Sequence, residues 1–212
     1  MNRESAHNSL FWDMIAGKYD KLSKKFDETY SRTIQKSLPY LNAADSVLDI
    51  ACGTGIITIR LASHVSSITA IDTSPNMISI LKTKASERSL YNVTCINTDI
   101  FSLPTKQYDA VLCMNVLHFI PALDPFLKRA VSLLKNGGYF ITAIDCLAET
   151  STIGGSVMTG LQKTLSLMGI IPRMHFFTSD EFVETVTGYG LNHVESEIIH
   201  PAPANLFAVF RK

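Results

Sequence analysis

The sequence predicts an α/β domain built on a doubly wound, mostly parallel sheet. From Ser46 onward, short apolar runs alternate with amphipathic segments, the pattern of strand–helix–strand units. The first run, Val47-Leu48-Asp49-Ile50, ends in a sharp turn through Gly53 and Gly55 and enters the helical stretch Ile56 to Leu61. The last two runs, Leu191 to Ile199 and Asn205 to Phe210, are joined only by His200-Pro201-Ala202-Pro203, so they read as a closing hairpin.

Ahead of this core, Phe11, Ile15, Tyr19, Leu22 and Phe26 are spaced 4, 4, 3 and 4, one face of a helix or of two short helices broken near Gly17. Tyr30, Ile34, Leu38 and Leu41 repeat the spacing before Pro39 and Asn42. Strand 2 is expected over Ser67 to Ile71, ending at Asp72. Ser74-Pro75 then offers an N-cap and a first-turn proline, with Met77, Ile78, Leu81 and Ala85 inward. Strand 3 runs from Val93 to Asn97 and strand 4 from Tyr108 to Met114. Asp124-Pro125 opens a helix with Phe126, Leu127, Ala130, Val131 and Leu134 facing the sheet; Lys135-Asn136-Gly137-Gly138 stops it before strand 5, Tyr139 to Ile144. Val157, Leu161, Leu165 and Met168 suggest a helix closed by Gly169, and Thr178-x-x-Glu181 is a capping box with Phe182, Val183 and Val186 inside.

The 212 residues suffice for one large domain. With 19 basic and 19 acidic side chains the net charge is zero, which argues against electrostatic capture of nucleic acid or an anionic membrane. The polar start, Met1-Asn2-Arg3-Glu4-Ser5, lacks a signal-peptide core, and no apolar run approaches the roughly 20 residues of a span. Cys52, Cys95, Cys113 and Cys146 form no C-x-x-C pair and the histidines lack ligand spacing, so buried thiols in the cytoplasm and no metal are expected.

A strand, a glycine turn and a helix start make a cradle for a small ligand, because glycine lets the backbone approach closely and the first helical amides are unpaired. In its D-x-A-C-G-T-G form the turn Asp49 to Gly55 resembles motif I of the class I S-adenosylmethionine-dependent methyltransferases. Ala16-Gly17-Lys18-Tyr19-Asp20 is similar to the A-x-x-Y-D segment that precedes motif I in the small-molecule branch, including the ubiquinone and menaquinone methyltransferases. The resemblance covers residues 11 to 145 well, and only the general plan beyond. It implies a Rossmann-like sheet of seven strands, mostly parallel with an antiparallel last strand, and S-adenosylmethionine as cofactor.

The resemblance also assigns residues. Asp49 would orient the glycine loop and meet the cofactor's amino-acid end, Gly53 and Gly55 would let the loop pass beneath it, and Tyr19 would lie over the pocket. Asp72 would accept both ribose hydroxyls, and Asp99, with the Ile100 amide, would meet adenine. Ala51, Cys52, Thr73, Met77 and Asn115 complete the expected cofactor set. Asn115-Val116-Leu117-His118-Phe119 falls where this family faces the methyl group, which makes His118 the first candidate base or polar orienter, Asp145 the second and His175 the third. The Asn-Pro-Pro-Tyr type of sequence used by amino-group methyltransferases of DNA and protein glutamine is absent.

The expectation is therefore methyl transfer by direct in-line displacement to a small-molecule acceptor. One alternative is a cofactor-binding module without turnover. Another is a nicotinamide oxidoreductase, since Asp72 lies 17 residues after Gly55; that fingerprint, however, needs a third glycine where Thr58 stands. Arsenite methylation would need exposed paired thiols. The expected organisation is a helical cap (1–44), a cofactor-binding core (45–146), an insertion or lid (147–177) rich in Met and Phe, and a C-terminal helix and hairpin (178–212).

Overall fold

The computed structural model describes residues 3–149, 153–168, 171–201 and 203–212. Strands β1 (Ser46–Ile50), β2 (Ser67–Asp72), β3 (Val93–Asn97), β4 (Tyr108–Met114), β5 (Leu134–Asp145), β6 (Asn192–Pro201) and β7 (Ala204–Arg211) form one sheet in the order β3-β2-β1-β4-β5-β7-β6. The first five are parallel, and β7 runs antiparallel to both of its neighbours. The strand order reverses between β1 and β4, the place where open α/β sheets leave a crevice at their carboxyl ends.

The central strands are largely apolar because both faces are covered. Successive side chains point to opposite faces, so Leu48, Val111, Phe140 and Phe210 enter one core with Phe182. Val47, Leu112, Ile141 and Val209 enter the other with Leu61 and Leu81. Helices α1 (Arg3–Ser23), α2 (Asp27–Ser37), α3 (Thr58–Leu61), α4 (Pro75–Glu87), α5 (Leu123–Ser132), α6 (Ile153–Leu167) and α7 (Ser179–Thr187) surround the sheet. The Ser74 hydroxyl accepts from the Met77 amide, and Met77, Ile78, Leu81 and Ala85 are buried, as the α4 pattern requires. The capping box at Thr178 and Glu181 is complete.

Of the two readings of the first segment the single helix holds, since α1 runs unbroken through Gly17, which is exposed and costs a helix only about 1 kcal/mol relative to alanine; Leu22, assigned to its inner face, is instead 56% exposed. Three further expectations need correction. The helical stretch after the glycine turn shrinks to α3, because Ile56 and Ile57 belong to the turn itself. Strand β5 starts at Leu134 and passes through the two glycines, with a register shift that sets Tyr108 opposite Leu134 and Ala110 opposite Tyr139. On α6, Val157, Leu161 and Met168 face solvent, because the helix rests on the body through other contacts, among them Thr159 to the Leu147 carbonyl and Lys163 over the Phe176 ring. Met1, Asn2, Gly169 and Ala202 lie outside the described residues, as does the side chain of Met158. Among the described residues no helix is long and apolar enough to cross a membrane.

Candidate active site

A cavity of about 660 Å³ opens at the carboxyl ends of β1, β2 and β4. Its floor is the glycine turn. Ala51 and Gly53 both take a φ of 56° there, the left-handed region that side chains disfavour. The Cys52 amide donates to the Ile71 carbonyl at 3.0 Å and pins the turn to β2. Asp72, ending β2, accepts from the Gly53 amide at 2.9 Å through Oδ2 and from the Ser74 amide at 2.8 Å through Oδ1. The carboxylate itself borders the cavity. Burial raises the pKa of this carboxyl, opposed by those amide bonds.

Asp99 caps the 3-10 turn after β3 by accepting from the Ser102 amide at 2.8 Å. It borders the cavity beside Ile100 and Phe101. Thr73 and Met77 add the wall above Asp72, and Asn115 closes the β4 side. Nine of the expected cofactor residues thus meet on one cavity: Tyr19, Ala51, Gly53, Asp72, Thr73, Met77, Asp99, Ile100 and Asn115.

Three do not. Asp49 is 2% exposed and turns inward, accepting from the Thr58 hydroxyl at 2.6 Å; burial pushes its pKa up to about 7. It braces the turn from below, and Thr58 stands where a dinucleotide fold would carry its third glycine. Cys52 packs into the core on the far side of the turn, with its thiol pKa raised by burial. Gly55 is required by packing, since a Cβ there would lie 2.2 Å from Leu81 Cδ1 at a φ of 80°.

The candidate polar groups for catalysis are also set back from the wall. His118 is 1% exposed, packs at a tilt of 47° against Phe119 with ring centroids 4.1 Å apart, and has its pKa pushed down to about 4 by burial. Asp145 accepts from Asn205 Nδ2 at 2.6 Å. The His175 amide donates to the His118 carbonyl at 2.7 Å, and its ring Nε2 lies 2.8 Å from the Ile120 carbonyl oxygen. None of the three borders the cavity, and neither does any described residue of 147–177.

Helix α1 covers the cavity instead, through Ser9, Trp12 and Tyr19. The Trp12 ring meets Phe119 edge-on at 5.1 Å and Tyr19 at 6.1 Å. The helix is latched on both sides. Asp13 accepts from the Ser74 hydroxyl at 2.6 Å, while Asp20 accepts from the Thr54 hydroxyl at 2.6 Å and pairs with Lys84 at 2.5 Å. Trp12, Phe101, Met114, Phe119 and Phe126 are wall residues that the sequence reading missed. The spacing Trp12, Ala16, Tyr19 was the available signal for the first, being a helical stripe beside the one chosen.

Residues 47–138 match a family described as "Methyltransferase domain". A stretch of 93 residues is 31% identical to the ubiquinone biosynthesis O-methyltransferase of Coxiella burnetii, covering 43% of this chain and 40% of that protein. The chain thus spans about two-fifths of the length of that relative. The DhpI–SAM–HEP complex superposes over 100% of both chains with a TM-score of 0.75 at 21% identity. The N-methyltransferase NodS from Bradyrhizobium japonicum, in complex with S-adenosylhomocysteine, superposes over 88% of this chain and 86% of its own with a TM-score of 0.69 at 19% identity. The glycine turn and the strand order agree with the match of residues 47–138 to a methyltransferase domain.

Proposed function

We propose that the protein is an enzyme that uses S-adenosylmethionine to methylate a small molecule. The observation that carries this reading is the placement of two carboxylates, Asp72 and Asp99, on one cavity above the Gly53 turn. A nucleoside needs an acceptor for two neighbouring hydroxyls and another for an exocyclic amine, and the ends of β2 and β3 supply one each. Ile71, Met77 and Phe101 give a flat base an apolar slot, and Gly53, with nothing but Tyr19 Cε1 at 4.0 Å from its Cβ position, leaves room for close approach. The residues fit the cofactor. Asp72 and Asp99 would hold its nucleoside, and Ala51, Gly53 and Asn115 would bound its amino-acid end.

When bound, that cofactor supplies a methyl group already activated on a sulfonium. The chain's work is then to bind, align and exclude water. Trp12 and Tyr19 close the cavity from α1, and the Trp12–Phe119 contact seals it against β4. Met114, Val116, Phe119, Ile120 and Phe126 make an apolar wall suited to a largely apolar acceptor. We assign no proton transfer to His118 or Asp145: neither reaches the cavity, and a histidine with a pKa near 4 is a weak base at neutral pH. The four cysteines are free, in keeping with a reducing cytoplasm.

Calorimetric titration of the purified chain with S-adenosylmethionine, S-adenosylhomocysteine and NADH tests the reading. Both sulfur compounds are expected to bind and NADH is not. Binding of NADH alone would overturn it. A screen of apolar phenols and amines for release of S-adenosylhomocysteine would then identify the acceptor.

A further inference from the structure

Two unusual residues meet behind the β4 end of the cavity. Asn115 holds a φ of 57°, which costs an L-residue free energy even though asparagine bears it better than most. Asn205, opposite Asp145 in the β5–β7 ladder, is 4% exposed. Its Nδ2 donates to Asn115 Oδ1 at 2.8 Å and to Asp145 Oδ1 at 2.6 Å. Its own Oδ1 is buried and has no hydrogen-bond partner among the described residues. Leaving a buried acceptor unpaired is unfavourable, and an apolar side chain like those of the next residues, Leu206 and Phe207, would avoid the penalty.

The orientation of the three groups follows from donor and acceptor chemistry. A carboxylate only accepts, so Asp145 draws the NH₂ end of the Asn205 amide toward itself. That leaves the Asn205 oxygen unpaired and turns its second hydrogen to Asn115. Asn115 must then answer with its oxygen. The Asn115 NH₂ group is what remains, on the one residue of the three that borders the cavity. A fixed pair of N–H donors selects an anionic acceptor, and the cofactor's amino-acid end carries a carboxylate.

Resting on the cofactor reading above, we propose that Asn205 is a positioning residue: it locks the Asn115 amide so that its nitrogen donates to the cofactor's carboxylate. Asp145 sets the polarity of the chain, which gives this strand-end carboxylate a role that needs no contact with substrate.

The test compares two ligands on the full chain. S-adenosylhomocysteine carries the amino-acid end, and 5′-methylthioadenosine lacks it. Asn205→Leu should weaken S-adenosylhomocysteine about tenfold, the scale of one hydrogen bond to a charged group, and leave 5′-methylthioadenosine unchanged. Asn115→Ala should do the same, and the double variant should be no weaker than either single one. If Asn205→Leu does not fold, Asn205→Ser, which can serve only one of the two partners, should show the same ligand-selective loss. Equal losses for both ligands would mean general damage to the fold and overturn the proposal, as would no loss for either. Failure of the unaltered protein to bind both ligands would remove the cofactor reading and this inference with it.

Discussion

Asp13 and Asn76, 63 positions apart in the chain, are joined three times: the Asn76 amide and its side-chain Nδ2 each donate to the Asp13 carboxylate at 2.9 Å, and Nδ2 also reaches the Asp13 carbonyl at 3.4 Å. Asn76 lies in the first turn of α4, where backbone N–H groups have no partner within the helix. A residue of α1 therefore caps a helix it does not belong to, and the adjacent Trp12 is held over the cavity.

Asp13→Ala should lower stability by about 1–2 kcal/mol, the usual cost of a lost cap, and weaken S-adenosylhomocysteine several-fold as Trp12 loosens. Scanning calorimetry and titration report the two effects separately. A lower melting temperature with unchanged affinity would show that the docking of α1 does not shape the cavity.

Gly53 and Gly55 share a turn but answer to different constraints. At Gly55 an alanine Cβ would meet Leu81 Cδ1 at 2.2 Å at a φ of 80°. Overpacking and left-handed strain together should cost roughly 2–5 kcal/mol. At Gly53 the space is open, so alanine should cost about 1 kcal/mol through φ alone, yet its methyl group would enter the cavity. Gly55→Ala is expected to lose mainly melting temperature and Gly53→Ala mainly ligand affinity. The reverse pattern would refute this division of roles.

Asp49 should make the protein more stable in mild acid than in base. Burial raises its pKa from the ordinary 3.8 to about 7, so its contribution is full below pH 3.8 and lost as pH rises through 7. His118 opposes this. Its pKa falls from 6.5 to about 4, so its contribution is full above pH 6.5 and lost as pH falls through 4. Asp49→Asn keeps an acceptor for Thr58 and removes the first trend. The variant should melt several degrees above the unaltered protein at pH 8, with the gap narrowing at pH 5 and closing only below about pH 4. A gap equal at both values would mean that Asp49 is not held against ionisation.

Local chemistry was legible in the sequence, and long-range partnership was not. The Ser74 cap, the Thr178 box and the runs of β1 to β4 are written within a few residues of one another, so periodicity and capping rules reach them. Asp72 and Asp99 were readable because strand ends in an open parallel sheet converge on one crevice. The roles of Asp13 and Asp20 depend on residues in α4 and the glycine turn, and no spacing within α1 encodes that. The packing role of Gly55 was hidden for a related reason: the same glycine can serve a ligand or a neighbouring leucine, and only the fold brings Leu81 against it. The stripe on α6 carries helical period, and period alone does not say which way it faces; Val157, Leu161 and Met168 are exposed.

The position of β7 bears on how the molecule is made. It follows every other strand in the sequence yet lies between β5 and β6, and it carries Asn205. A nascent chain emerging from the ribosome can assemble β1 to β5, with Asp72 and Asp99 in place, long before β7 exists. Until β7 inserts, the edge of β5 is unpaired and exposes an apolar strand, the kind of surface that recruits foreign strands. The nucleoside half of the cavity would then form early in synthesis, and the half behind Asn115 would come last. A pool of cofactor could engage the growing chain at its first half and favour the compact state while the final strand is still being made.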